Sequence, residues 1–299
     1  MSDFKSRLSE FSAEFNAKLP ELFILPQGQE RRVVEAMYYS VSNGGKRLRP
    51  FLVTATAKLF GISPQQSFIT AAALECLHSY SLIHDDLPAM DNDDLRRGKP
   101  TCHKQFDEAT AILAGDGLLT YAFELICSDQ NPFSAEIRCR LSNLLASGAG
   151  AFDGMVAGQM LDLDTERSHN VQNAEATIKH IEEMKTGRLL RFACEAGAIL
   201  GRAAPAEYQA LITYSRKIGI AFQITDDILD VEGTVEQMGK TLGKDAAQGK
   251  LTFVQLYGIN KAKQIAAELI NEAKQSLQIF GNKASDLIDL ADFILNRHQ

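Results

Sequence analysis

The chain has 299 residues, 45% of them hydrophobic and 23% charged, with 38 acidic against 31 basic side chains and a formal net charge of −7. That composition excludes a disordered chain, a collagen and a coiled coil, and a chain of this length buries enough apolar surface to fold without a disulfide or metal staple. A pI near 5.5 argues against a broad nucleic-acid-binding face, which needs a basic surface, while leaving room for a local basic pocket.

The five cysteines, Cys76, Cys102, Cys127, Cys139 and Cys194, are scattered and form no CxxC pair. They read as reduced thiols of a cytoplasmic protein, with no zinc site. The N-terminal stretch is amphipathic and charged and lacks the apolar centre of a signal peptide. No run approaches 18 apolar residues, so no membrane span is expected.

Phe4, Leu8, Phe11, Phe15 and Leu19 fall at helical spacing and end at Pro20. A second helix is predicted over 30–42, stopped by Gly44–Gly45, and a third begins near Pro50, which suits a first helical turn. Pro64 opens an alanine- and leucine-rich helix to about residue 87. Further helices are predicted over 107–128, 134–148, 151–162, 174–200, 205–231, 246–257, 259–280 and 284–296. No alternating strand pattern appears between hairpin turns. The expected fold is all-α, a large bundle of ten or more helices, several of them apolar on more than one face. With no linker or composition shift, residues 1–299 are expected to form one domain.

Two aspartate-rich motifs stand out, LIHDDLPAMDNDDLRRG (82–98) and FQITDDILD (222–230). In the second, Asp226 and Asp230 share a helix face, with Asp227 three residues from Asp230, and apolar residues surround them. Like charges at that spacing repel, and crowded carboxylates on a buried helix are costly unless a cation neutralises them. In the first motif, Asp85 and Asp91 are separated by about 240° on a straight helix. Leu87 precedes Pro88 and is biased away from helical dihedrals, so the helix should end there and let Asp91 swing back beside Asp85. Oxygen-only clusters suit Mg²⁺ or Mn²⁺, which take remaining ligands from phosphate and water, so a diphosphate or polyphosphate substrate is expected. The plain alternative is a pair of solvated acidic segments.

Two basic clusters accompany the acids: GGKRLRP (44–50), with Lys46, Arg47 and Arg49, and the Arg96–Arg97 pair. Glycines permit close backbone approach and a helix start favours an anion, although either cluster alone reads equally as a solvated turn. His78 lies seven residues before Asp85 and shares its helix face. The loop GKTLGKDAAQGKLTF (239–253) offers Lys240, Lys244 and Lys250 without the spacing of a P-loop. No GxSxG motif or dinucleotide fingerprint is present.

In that order and spacing, GGKRLRP, the first aspartate motif, GQMLDLD (158–164), MKTG (184–187), FQITDDILD and GKTLGKD resemble the trans-isoprenyl diphosphate synthase family, and within it the bacterial farnesyl branch, from about residue 30 onwards. The resemblance implies an all-α fold around a deep central cavity, usually as a homodimer. It implies Mg²⁺ ligation by Asp85, Asp91 and Asp226, supported by Asp86, Asp227 and Asp230. Arg96, Lys185 and Lys240 would hold the allylic diphosphate; Lys46, Arg49, His78 and Arg97 would hold isopentenyl diphosphate. Thr186 and Gln223 would present oxygens to the allylic cation, and Lys250 would stand near the diphosphates. The implied reaction condenses isopentenyl diphosphate with dimethylallyl and then geranyl diphosphate to a fifteen-carbon product. Bulk before the first motif limits chain length in this family, which makes Tyr80, beside the small Ser81, the expected cavity floor; alternatively Tyr80 only packs in the core. The alternatives are a synthase of ten- or twenty-carbon products, a class I terpene cyclase, and a non-catalytic partner subunit. Where the family often reads TYP, this chain has Thr252–Phe253–Val254, which puts the local helix start in doubt.

Overall fold

The computed structural model describes residues 2–167, 173–232 and 251–296, and they are built almost wholly of helices. Helix α1 (Ser2–Lys18) turns Phe4, Leu8 and Phe15 into the core and passes at Pro20 into a short 3₁₀ turn. Then come α2 (Arg31–Ser42), α3 (Leu48–Lys58) and α4 (Pro64–Asp85). At the start of α4, Ser63 and Gln66 form a capping box around Pro64 in the first turn, so three residues within a four-residue stretch fix where the helix begins. Next are α5 (Cys102–Gln105), α6 (Glu108–Cys127), α7 (Ala135–Ala149), α8 (Met155–Arg167) and α9 (Ala174–Glu182). The chain ends with α10 (Arg188–Leu200), α11 (Pro205–Glu232), α12 (Phe253–Tyr257), α13 (Ile259–Ser276) and α14 (Ser285–Asn296).

α4 packs against α3 and α6, and α10 against α3, α7 and α11, while α13 covers α11. The run from Ile69 to Leu77 on α4 is buried throughout, because Ala71, Ala72 and Ala73 let neighbouring helices close on every side. Phe192, Tyr214, Leu74, Leu77 and Leu118 are fully enclosed, each such apolar side chain contributing roughly 1.5–3 kcal/mol.

The structure departs from the sequence reading at four places. Leu95–Arg96 and Lys99–Pro100 form a two-residue antiparallel hairpin where no strand was expected. Its turn, Arg97–Gly98, takes positive φ at both positions, the geometry that matches strand twist. The helix predicted over 174–200 is interrupted by a π-helical turn, Glu183–Gly187. α6 is long and apolar enough, by length and composition, to cross a membrane, against the expectation that no run approached that limit; in the fold it packs along α4 and α2. Finally, of the helix predicted over 246–257, residues 246–250 lie outside the described residues, Leu251 and Thr252 are not helical, and the helix starts at Phe253 with Thr252 and Gln255 making a capping box.

One buried ion pair ties the helices beside the cavity. Arg47 adopts left-handed dihedrals (φ 51) just before α3 and turns its side chain inward. Its guanidinium donates to Glu75 of α4, to Asn16 of α1 at 2.8 Å and to the Val41 carbonyl of α2 at 2.6 Å. Side-chain exposure is 0% for Arg47 and 3% for Glu75, so removing one partner strands a charge without water. Glu75→Ala should therefore cost about 3–5 kcal/mol in denaturant unfolding. A loss below about 1 kcal/mol would mean that Asn16 and the Val41 carbonyl suffice to hold Arg47.

Candidate active site

α4 ends at Asp85, just before the Leu87–Pro88 pair. The chain then folds back on itself: Asp91 N donates to the Asp85 carbonyl at 2.8 Å, and Asp93 N to the Asp86 carbonyl at 3.2 Å, with Asn92 at φ 50. This turn brings Asp91 beside Asp85. Asp86 is nearly enclosed and is gripped by Arg96, whose Nε donates at 2.7 and 2.8 Å. Burial raises the Asp85 carboxyl to about 6, with Asp91 and Asp86 adding to the rise and Lys185 and Arg96 opposing it. On α11, Asp230 is buried, and Asp227 accepts from the Phe253 backbone at 2.8 Å, which anchors the second motif to the start of α12.

Asp226 lines a cavity of about 340 Å³ together with Glu75 and a basic set, Lys46, Arg49, His78, Arg96 and Arg97. Arg49 Nη1 lies 3.2 Å from His78 Nε2, and because a guanidinium only donates, that nitrogen accepts. Arg49 Nε is buried without a hydrogen-bond partner among the described residues. Desolvation lowers the Arg49 guanidinium to about 10, with Glu75 and Asp226 opposing and Arg97 adding. His78 keeps partial access to the cavity, yet desolvation first, and then the charges of Arg49, Arg97, Arg96 and Arg47, push it well below its usual range. Arg97 donates to the Gly44 carbonyl. Its guanidinium crosses so close to Gly45 (φ 103) that a Cβ there would sit 2.5 Å away. Lys46 Nζ lies 5.5 Å from the centre of the Phe293 ring.

Lys185 and Thr186 sit in the π turn, a distortion that re-aims side chains and recurs at functional sites. Lys185 Nζ donates to Asp162 of α8 at 2.5 Å. Burial lowers the ammonium's pKa, but Asp162, Asp85 and Asp91 more than offset this, and the net shift is upward. α8 reaches the turn only because residue 158 is glycine: a Cβ there would stand 2.3 Å from Lys185 N. Gln223 lies three residues before Asp226; the nearby Glu182 carboxyl is raised to about 7 by burial, with Asp162 adding to the rise and Lys185 opposing it. Asp162 and Glu182 were not singled out in the sequence. Asp162 lay in the quoted GQMLDLD motif, and Glu182 three residues before Lys185, but their surroundings come from other helices.

Tyr80 is buried on α4, its ring edge-on to His84 at 5.3 Å. His84 Nε2 donates to the Ile112 carbonyl at 3.1 Å, in space that a Cβ at Gly115 would fill. Ser81 Oγ donates to the His78 carbonyl at 2.9 Å. Lys240 and Lys250 lie outside the described residues. Among the described residues, no three His, Cys, Asp or Glu side chains stand close enough to chelate an ion by themselves. A larger cavity, about 500 Å³ between α1 and α3, is lined by Phe11, Phe15 and Phe51 and holds none of the motif residues.

Residues 30–287 match the polyprenyl synthetase family. The farnesyl diphosphate synthase of Escherichia coli is 44% identical over 99% of this chain and all of its own length. The chloroplastic geranylgeranyl pyrophosphate synthase of Capsicum annuum is 43% identical over 99% of this chain and 79% of its own. The apo crystal structure of an FPP/GFPP synthase from Zymomonas mobilis superposes with a TM-score of 0.89, at 40% identity, covering 98% of this chain and 99% of that one. The chain belongs to the polyprenyl synthetase family.

Two predictions follow from the packing and the charge. Gly to Ala inside a helix normally gains up to about 1 kcal/mol. At Gly158 the new Cβ would collide with backbone, so Gly158→Ala should instead lose about 1–3 kcal/mol and depress turnover. Gly219→Ala on α11, where the nearest atoms are at 3.5 Å, should be neutral or stabilising; equal unfolding midpoints for the two variants would refute the close-approach argument. His78 is depressed in the fold, so below pH 6.5 the unfolded chain binds a proton that the folded chain refuses, and stability falls with falling pH. Between pH 7 and 5.5 the wild type should lose about 1 kcal/mol more than His78→Gln, read from denaturant midpoints.

Proposed function

We propose that the protein is a farnesyl diphosphate synthase: it condenses isopentenyl diphosphate with dimethylallyl diphosphate, and then with the geranyl diphosphate formed, to give a fifteen-carbon (2E,6E) product. The observation that carries this reading is the cavity lined by Asp226 together with Lys46, Arg49, His78 and Arg97, with Asp85 and Asp91 in the charge field of Lys185. A terpene cyclase has no use for the second, basic anion site, and a non-catalytic subunit has no use for two intact acid motifs.

In this reading Arg96 and Lys185 hold the allylic diphosphate, with Lys240 and, near by, Lys250 joining from the segment outside the described residues. Lys46, Arg49, His78 and Arg97 hold isopentenyl diphosphate. The allylic C–O bond breaks, leaving a carbocation and a diphosphate. Thr186 and Gln223 offer oxygens to that cation, and the apolar walls keep water from trapping it. The alkene of isopentenyl diphosphate attacks, and the departing diphosphate accepts the proton that is lost. Asp85, Asp91 and Asp226 suit Mg²⁺ or Mn²⁺: the donors are all oxygen, Asp91 crowds Asp85, whose carboxyl is raised by burial, and such ions are held by one or two carboxylates with substrate phosphates and water. Bound there, the ion would supply Lewis-acid stabilisation of the leaving diphosphate. Five free thiols support a reducing, cytoplasmic setting. Exposed Ile112 and Leu113 on α6 support a homodimer, to be read from sedimentation. All of this is assigned to one domain spanning 1–299.

Purified protein given Mg²⁺, isopentenyl diphosphate and dimethylallyl diphosphate should yield farnesol after dephosphorylation. Both diphosphates left unreacted would refute the enzyme reading. Tyr80→Ala should lengthen the product to twenty carbons or more, and persistence of fifteen would remove Tyr80 as the floor. Chelation should abolish turnover and weaken binding of the allylic diphosphate at the acidic wall while leaving that of isopentenyl diphosphate within about threefold, because arginines need no bridging ion.

A further inference from the structure

Lys46, Arg47 and Arg49 all line the cavity of about 340 Å³, yet Arg47 differs from the other two. Its side chain has 0% exposure. Each of its three nitrogens donates within the protein: Nε to Asn16 of α1 at 2.8 Å, Nη1 to Glu75 of α4, and Nη2 to the Val41 carbonyl of α2 at 2.6 Å. Arg47 is therefore built into the protein and not offered to a ligand. Its backbone lies in the left-handed region (φ 51), which a residue with a side chain keeps only where its surroundings impose it. The three bonds, from three different helices, are that imposition. The residues just before it are held as well: Ser12 Oγ donates to the Gly45 carbonyl at 3.3 Å, and Arg97 donates to the Gly44 carbonyl.

The start of α3 and the middle of α4 are joined by two rungs. Glu75 and His78 are three residues apart on α4 and share a face. Arg47 meets Glu75, and Arg49 Nη1 lies 3.2 Å from His78 Nε2. The first rung is buried. The second is the one that carries the unpartnered Arg49 Nε, while His78 keeps partial access to the cavity. Residues two apart in sequence are separated by at most about 7 Å of chain, so Arg49 cannot keep its place if Arg47 leaves its own. Without its three bonds, residue 47 would relax to right-handed dihedrals, and Lys46 and Arg49 would be re-aimed together.

We propose that Arg47 is a positioning residue for the basic set: seated on Glu75, Asn16 and the Val41 carbonyl, it fixes the left-handed turn that directs Lys46 and Arg49 at one anion, without touching that anion. The inference rests on the reading that Lys46, Arg49, His78 and Arg97 hold isopentenyl diphosphate. Two plainer roles predict a different pattern. A pair that serves only packing affects stability alone, and an Arg47 that serves only to cancel the charge of Glu75 is dispensable once Glu75 is gone.

The test is calorimetric titration with isopentenyl diphosphate, together with unfolding midpoints and both KM values. Arg47→Met/Glu75→Leu removes the pair at constant net charge, and apolar replacement of a buried pair is often neutral in stability. Its unfolding midpoint should stay near that of the wild type. Its affinity for isopentenyl diphosphate should fall roughly tenfold or more, as misplacement of a binding group by an ångström does. Its KM for dimethylallyl diphosphate should stay within about twofold. Arg47→Lys should also weaken isopentenyl diphosphate, because an ammonium beside Glu75 does not reproduce the planar fork that serves Asn16 and Val41. Glu75→Gln keeps an acceptor for Arg47 and should cost less than about threefold. Wild-type affinity in the folded double variant, or equal losses for both substrates, would overturn the proposal. If the double variant fails to fold, unchanged affinity in Arg47→Lys overturns it. If the wild type itself binds no isopentenyl diphosphate, the assignment of the basic set falls first and the positioning role with it.

Discussion

Lys185 stands among carboxylates from two directions, Asp162 on α8 and the Asp85–Asp91 pair at the end of α4. Without its ammonium, three carboxylates would face one another across a poorly hydrated space, a cost no helix packing of ordinary size offsets. The geometry around it follows from that need. The π turn lifts Lys185 out of the face that a regular helix would give it, and Gly158 lets α8 approach until Asp162 reaches it. The result is one positive charge, hydrogen-bonded to Asp162 and within the field of Asp85 and Asp91.

Cations in the molecule divide into two kinds by their partners. Arg47 is enclosed and fully occupied by Glu75, Asn16 and the Val41 carbonyl. Arg96 is committed to Asp86, so it orders the first acid motif even before anything binds. Arg49 differs: its Nε has no partner among the described residues, and its neighbour His78 is held neutral and accepting. A buried donor left open beside a cavity is costly in the empty protein, and an anion there would relieve it. Asp226, on the same cavity, is a carboxylate and would meet an anion only through a cation.

Much of the fold was legible because its signals are local. Ser63–Pro64–Gln66 and Thr252–Gln255 each state a helix start within four residues, and Leu87–Pro88 states an end. The hairpin at 95–100 was missed because two residues are too few to show alternation; only Gly98 hinted at it. The π turn was missed because one extra residue per turn leaves the apolar period of 174–200 nearly intact. Asp85, Asp91 and Asp226 were readable as candidates from spacing and type. Asp162, Glu182 and the buried role of Arg47 were not, since each is defined by a neighbour on another helix.

Whole-chain identity does not decide product length, because relatives at 44% and 43% carry farnesyl and geranylgeranyl names respectively. The packing around Tyr80, just before the first acid motif, is stiffened from behind. Tyr80 rests edge-on against His84, His84 is pinned to the Ile112 carbonyl, and Gly115 leaves it just enough room. An aromatic floor works as a ruler only if its rotamer is fixed. Residues 84, 112 and 115 therefore fix the position of the Tyr80 ring, and the proposed role of Tyr80 as a floor depends on them as much as on Tyr80 itself.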